Sequence, residues 1–84
     1  MEQYFTKQES IDLLGSSVVF KQTQYMEVEG YKYPRIQQGT PGEVFSIFNL
    51  PEGIKLGVFV DEDIEEFRKD EFDYFCELNH ASSS

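Results

Sequence analysis

The chain has 84 residues, 39% of them apolar, with thirteen aromatics, no tryptophan and a formal net charge of −9. That length makes one small domain with no room for a second, and the acidity disfavours phosphate backbones and anionic lipid while favouring basic protein partners. The single Cys76 excludes an internal disulfide, and with the single His80 it cannot complete a four-ligand zinc site, so a reducing, cytoplasmic setting fits.

The opening residues carry acids early and no basic stretch followed by a long apolar run, so neither a signal peptide nor a membrane span is expected. Thr6 and Glu9 stand at capping-box spacing, with Ile11 and Leu14 on one face and Gly15 at the stop, which predicts one short helix. Ser17 to Lys21 is β-rich, and Val18 and Phe20 share a face as a half-buried strand requires. From Gln22 to Gln38 the chain is polar with scattered aromatics and broken by Gly30 and Pro34, so it reads as a long irregular excursion.

Gly39 to Gly42 then form a turn in which Pro41 fixes φ and Gly42 is free to take a positive φ. A strand from Glu43 to Phe48 follows, a turn over Asn49 to Gly53, and a strand from Ile54 to Val60. In this last strand Leu56, Val58 and Val60 share one face and Lys55, Gly57 and Phe59 the other, giving an antiparallel pair with a bend or bulge at Gly57.

The segment Asp61 to Glu77 holds nine of the sixteen acids against Arg68 and Lys69, interleaved with Ile64, Phe67, Phe72, Tyr74 and Phe75. Residues 1 to 60 hold seven acids against five bases, so −7 of the net charge lies beyond them. Two readings stand open. A helix over 61–79 places acids at its N-terminal dipole. Alternatively Glu66 to Arg68 is a short strand, Asp70 to Asp73 a helical turn, and Tyr74 to Leu78 a last strand with Tyr74, Cys76 and Leu78 on one face. In both, the aromatics turn inward and the carboxylates form one outward face.

The order of strand, long loop, Gly-turn, strand, short turn, strand and tail strand resembles an SH3-like five-stranded barrel. Gly30 through Ile47 (GYKYPRIQQGTPGEVFSI) is similar to the stretch in SH3-like electron-transfer accessory barrels where a long first loop runs into a G-x-x-G-x-V strand, with Gly39, Gly42 and Val44 in the matching places. Phe67 to Leu78 resembles the closing turn and strand of that family, which includes the photosystem I stromal barrel subunit, the ferredoxin-thioredoxin reductase variable chain and a nitrogen-fixation accessory protein. The resemblance spans residues 15 to 78 and implies a mainly β fold and a small non-catalytic subunit or accessory factor. No catalytic or cofactor residue of the family maps onto this chain. The alternative fold is α+β, an antiparallel sheet with the C-terminal helix 61–79.

Asp61, Asp63 and Glu65 mimic the first three ligands of an EF-hand loop, but Glu66 replaces the turn glycine and Phe72 the closing carboxylate. Cys76 lies in an apolar alternation and reads as an inert core thiol, and His80 as an exposed residue. The Gly39 to Gly42 turn lacks the lysine and hydroxyl of a P-loop. Tyr25, Tyr31 and Tyr33 with Arg35 are residue types enriched at interface centres, although two of the tyrosines would suit the ends of a barrel instead.

The expectation is therefore one domain over 1–80 with a frayed tail at 81–84. It is a binding module without catalysis, cofactor or metal, docking on a basic surface of a larger complex through Asp61, Glu62, Asp63, Glu65 and Glu66 and through Tyr25, Tyr31, Tyr33 and Arg35. Direct nucleic-acid binding and membrane insertion are not expected, and the aromatic excess leaves a homodimer open. The alternative function is a DNA-mimic inhibitor from a phage or mobile element, whose carboxylates replace a phosphate track.

Overall fold

The computed structural model describes residues 3–79 and is mainly β. Helix α1 (Lys7–Leu13) starts at the capping box: the Thr6 amide donates to Glu9 Oε1 at 2.8 Å and the Glu9 amide to Thr6 Oγ1 at 3.1 Å. Gly15, at φ +88, turns the chain away just beyond it. The inward side is not the expected one. Leu13 packs on the core and Ser10 is buried with its hydroxyl donating to the Lys7 carbonyl at 2.7 Å, while Ile11 and Leu14 face outward. In a two-turn helix the pairs 10/13 and 11/14 are nearly equivalent stripes, and the position of the sheet decides between them.

Seven strands follow: β1 (Ser17–Phe20), β2 (Gln24–Val28), β3 (Tyr31–Ile36), β4 (Pro41–Leu50), β5 (Gly53–Val60), β6 (Asp63–Phe67) and β7 (Cys76–Leu78), with helix α2 (Lys69–Phe75) between the last two. Five of them form one antiparallel sheet in the order β6-β5-β4-β1-β7, the last strand returning beside the first. The expected barrel is not closed: among the described residues no ladder joins the edge strands β6 and β7. The remaining two strands pair only with each other.

The core lies on one face of this sheet, where Val18, Phe20, Val44, Leu56, Val58 and Val60 are buried. Aromatic rings link the layers, Phe20 to Phe67 at 5.9 Å between centroids, Phe67 to Phe75 at 6.1 Å and Phe5 edge-on to Phe72 at 5.7 Å. A core of this kind, in which burying each large side chain contributes on the order of 2 kcal/mol, is what a chain of this size needs in the absence of a disulfide.

Four sequence expectations are corrected. The excursion over 22–38 is a regular hairpin, β2–β3, closed by the two residues Glu29 and Gly30 at φ 52 and 83, the primed turn geometry that matches strand twist. Gly42 is not in the turn: it lies in β4 without a positive φ, where a Cβ would come to 3.0 Å from Val58 Cγ1, and Gly39 carries the positive φ instead. The bulge anticipated at Gly57 sits across the ladder, where Val44 pairs with Val58 and Ser46 with Gly57, leaving Phe45 extra. No helix spans 61–79; β6, α2 and β7 replace it, each longer or shorter than the turn-and-strand reading by a few residues, and Tyr74 stands exposed in α2 away from Cys76. His80 and the tail 81–84 lie outside the described residues.

Candidate functional site

The hairpin β2–β3 has two distinct faces because side chains alternate along each strand and directly paired residues share a side. Met26 pairs with Tyr33 and Val28 with Tyr31, so these four form one apolar face, with Tyr31 68% and Tyr33 51% exposed. Glu27 and Lys32 pair on the opposite face, where Tyr25 and Pro34 also lie. The tyrosines therefore do not cap the core. Tyr31 and Tyr33 act together, whereas Tyr25 is turned away to line a groove of about 420 Å³ with Gln22, Thr23, Gln38, Tyr74 and Phe75.

Arg35 follows Tyr33 by two residues and reaches back to the main sheet, where its guanidinium donates to Glu65 Oε2 and lies 3.8 Å from Asp63 Oδ2. Sequence reasoning grouped these residues by type, and the structure joins them. It also divides the acidic strip, which is not one outward face. Asp63 and Glu65 point to the Arg35 side, Glu66 points to the opposite side of the sheet at 3.9 Å from Lys55, and Asp61 and Glu62 form the tip between β5 and β6. Further along, Arg68 grips Asp70 through two contacts of 3.1 Å, and Lys69 binds Glu9 Oε2 at 2.5 Å. Among the described residues, neutralisation by neighbouring cations thus leaves Asp61 and Glu62 as the unpaired carboxylates of the five between 61 and 66, with Asp73 and Glu77 unpaired further along.

Both tip residues hold positive φ, 51 at Asp61 and 64 at Glu62. Such a turn favours Asn-Gly, and non-glycine residues in this region carry a conformational cost of about 1 kcal/mol or more. Two carboxylates are thus maintained at an exposed hairpin tip against local backbone preference. Asp61 also borders a recess of about 190 Å³ lined by Arg35, Ile36, Val60, Asp63 and Glu65, which connects the tip to the hairpin.

Sequence reasoning missed the outer face of the sheet. Phe45 and Phe59, 59% and 43% exposed, stack at 5.9 Å between ring centroids, and Ile64 pairs directly with Phe59. The alternation in β5 showed Phe59 on the outer side, but only the bulge in β4 turns Phe45 outward beside it. Burial pushes the Cys76 thiol up to about 12, which makes it a poor nucleophile or metal ligand. Among the described residues, no three His, Cys, Asp or Glu side chains converge and no helix is long and apolar enough to cross a membrane. No protein-family model, curated protein or solved structure matches this chain.

Proposed function

We propose that the chain is a non-catalytic cytoplasmic binding module, an accessory subunit that docks on a basic surface of a larger protein. The acidic tip Asp61–Glu62 steers the encounter, and the hairpin face of Met26, Val28, Tyr31 and Tyr33 makes the short-range contact. The observation that carries this reading is the tip itself, two unpaired carboxylates held in a costly conformation at the end of a hairpin. The recess that Asp61 shares with Arg35, two residues along from Tyr33, supports using tip and tyrosine face together. A DNA mimic is supported less well, because it needs an array of free carboxylates, while Asp63, Glu65, Glu66, Asp70 and Glu71 are each engaged by this chain's own cations.

The test is recovery of the partner by affinity pull-down, followed by titration of purified components between about 50 and about 500 mM salt, a range over which exposed charges become screened. Affinity should fall with salt, and the pair Asp61→Asn with Glu62→Gln should weaken binding about three- to tenfold and flatten that dependence. Tyr31→Ser with Tyr33→Ser should weaken it at all salt concentrations. An affinity that ignores both salt and the tip variants would remove the basis of the proposal, and displacement of the partner by DNA would favour mimicry.

A further inference from the structure

The outer face of β4, β5 and β6 is covered by neither helix, since Leu13 of α1 and Phe72 of α2 pack into the core on the inner side. Its centre is Gly57, over which Phe48 and Ile64 close: a Cβ there would meet Phe48 Cε2 at 2.6 Å and Ile64 Cγ2 at 3.0 Å. Phe45 and Phe59 continue the surface toward the acidic tip. The bulge at Phe45 is what assembles it. Without the extra residue, Phe45 and Ser46 would alternate across the sheet, whereas here Ser46 faces Gly57 and Phe45 reaches Phe59 on the same side. Contiguous exposed apolar side chains of this kind are the surface on which contact sites are built.

The charges around it select the occupant. Glu43 pairs with Phe59 and Glu66 with Gly57, so both carboxylates flank the apolar centre, and Asp61 and Glu62 close one end. Lys55 already engages Glu66, so Glu43, Asp61 and Glu62 are the acids this face leaves to a partner. A second copy of this chain would bring the same acids against them, and nucleic acid or an anionic lipid surface would be repelled as well. Three adjacent strands span about 10 Å from β4 to β6, the diameter of one helix with its side chains.

We propose that this outer face is a second docking surface, separate from the tyrosine hairpin, and that it takes a basic amphipathic helix of a partner protein. The helix lays its apolar stripe over Phe45, Phe48, Phe59 and Ile64 and sets its cations against Glu43 and the tip. This site does not depend on the hairpin reading.

The probe is a synthetic helical peptide of about 18 residues, long enough for about five turns, built from Leu and Lys in amphipathic order. Its controls are the same composition scrambled and a Leu and Glu version, each titrated into the full chain by calorimetry and followed by NMR. The ordered Lys peptide should bind at least about tenfold more tightly than the scrambled one, with shifts in Phe45, Phe59, Ile64 and their neighbours. Phe45→Ser with Phe59→Ser should remove at least about tenfold of that affinity, while Tyr31→Ser with Tyr33→Ser should change it by less than about twofold. Should the double phenylalanine variant fail to fold, Phe59→Ala and the NMR footprint on the unmodified chain carry the same decision. Absence of binding, equal binding of ordered and scrambled peptides, a footprint elsewhere, or a dimer in sedimentation that the phenylalanine changes disperse would each overturn the proposal.

Discussion

Arg35 at the end of β3 donates to the Glu65 carboxylate of β6 and lies beside Asp63, so one side chain ties the tyrosine hairpin to the acidic edge of the main sheet. Apart from Ile36, the hairpin strands bury no apolar side chain, and this contact fixes how the hairpin is presented. Arg35→Ala should cost about 1 kcal/mol of global stability, as expected for a partly exposed pair. It should also speed amide exchange across 24–36 more than elsewhere. A double-mutant cycle with Glu65→Gln measures the coupling, and a coupling of zero would show that the hairpin is held by other means.

Gly57 is a position in the sheet where one added methyl group should be damaging. The Cβ collides with Ser46 Oγ, Phe48 and Ile64, and such overpacking costs about 1–3 kcal/mol in denaturant unfolding. Ser46 Oγ is buried without a hydrogen-bond partner, so Ser46→Ala alone should be neutral or stabilising and should recover part of the Gly57→Ala loss.

The acidic tip should be improvable at the expense of its charge. Replacing Asp61 with Asn and Glu62 with Gly supplies the turn its preferred residues and should raise stability by about 0.5–1 kcal/mol, seen as a higher thermal midpoint. An unchanged midpoint would mean that the backbone at the tip carries no appreciable strain.

Glu9 links the first helix to the second. Its carboxyl is held below the ordinary value of 4.5, first by the hydrogen bond from Lys69 and then by the Thr6 amide. The folded value being the lower one, this stabilisation is present above 4.5 and is lost as pH falls below it. Glu9→Gln should therefore be destabilising at neutral pH and flatten the acid limb of a stability–pH curve.

Cys76 sets the opposite dependence at high pH. Burial raises its thiol from 9.0 to about 12, so its protonated form contributes fully below 9.0 and the contribution disappears as pH rises toward 12. Cys76→Ala should lose packing at pH 7 but show a shallower alkaline decline than the parent chain. In the folded parent, thiol reagents at pH 8 should react only as fast as the protein opens.

Much of the fold was legible in the chain. The Thr6 and Glu9 capping box, the alternation of Val18 with Phe20, and that of Leu56, Val58 and Val60 are short-range signals, and each appears in the structure where local preference and burial agree. The hairpin β2–β3 was hidden because both its faces are exposed, so no burial alternation marked its strands, and its Glu29-Gly30 turn is not among the preferred pairs. The sequence by itself determined the strong acidity, the mainly β core and the cluster of carboxylates between 61 and 77. Tertiary structure decided which of those carboxylates remain available, because partners such as Arg35, 30 residues from Glu65 along the chain, are brought together only by folding. It likewise decided the outer aromatic face, since a one-residue bulge in β4 changes which side every later side chain occupies, and no composition or spacing records it.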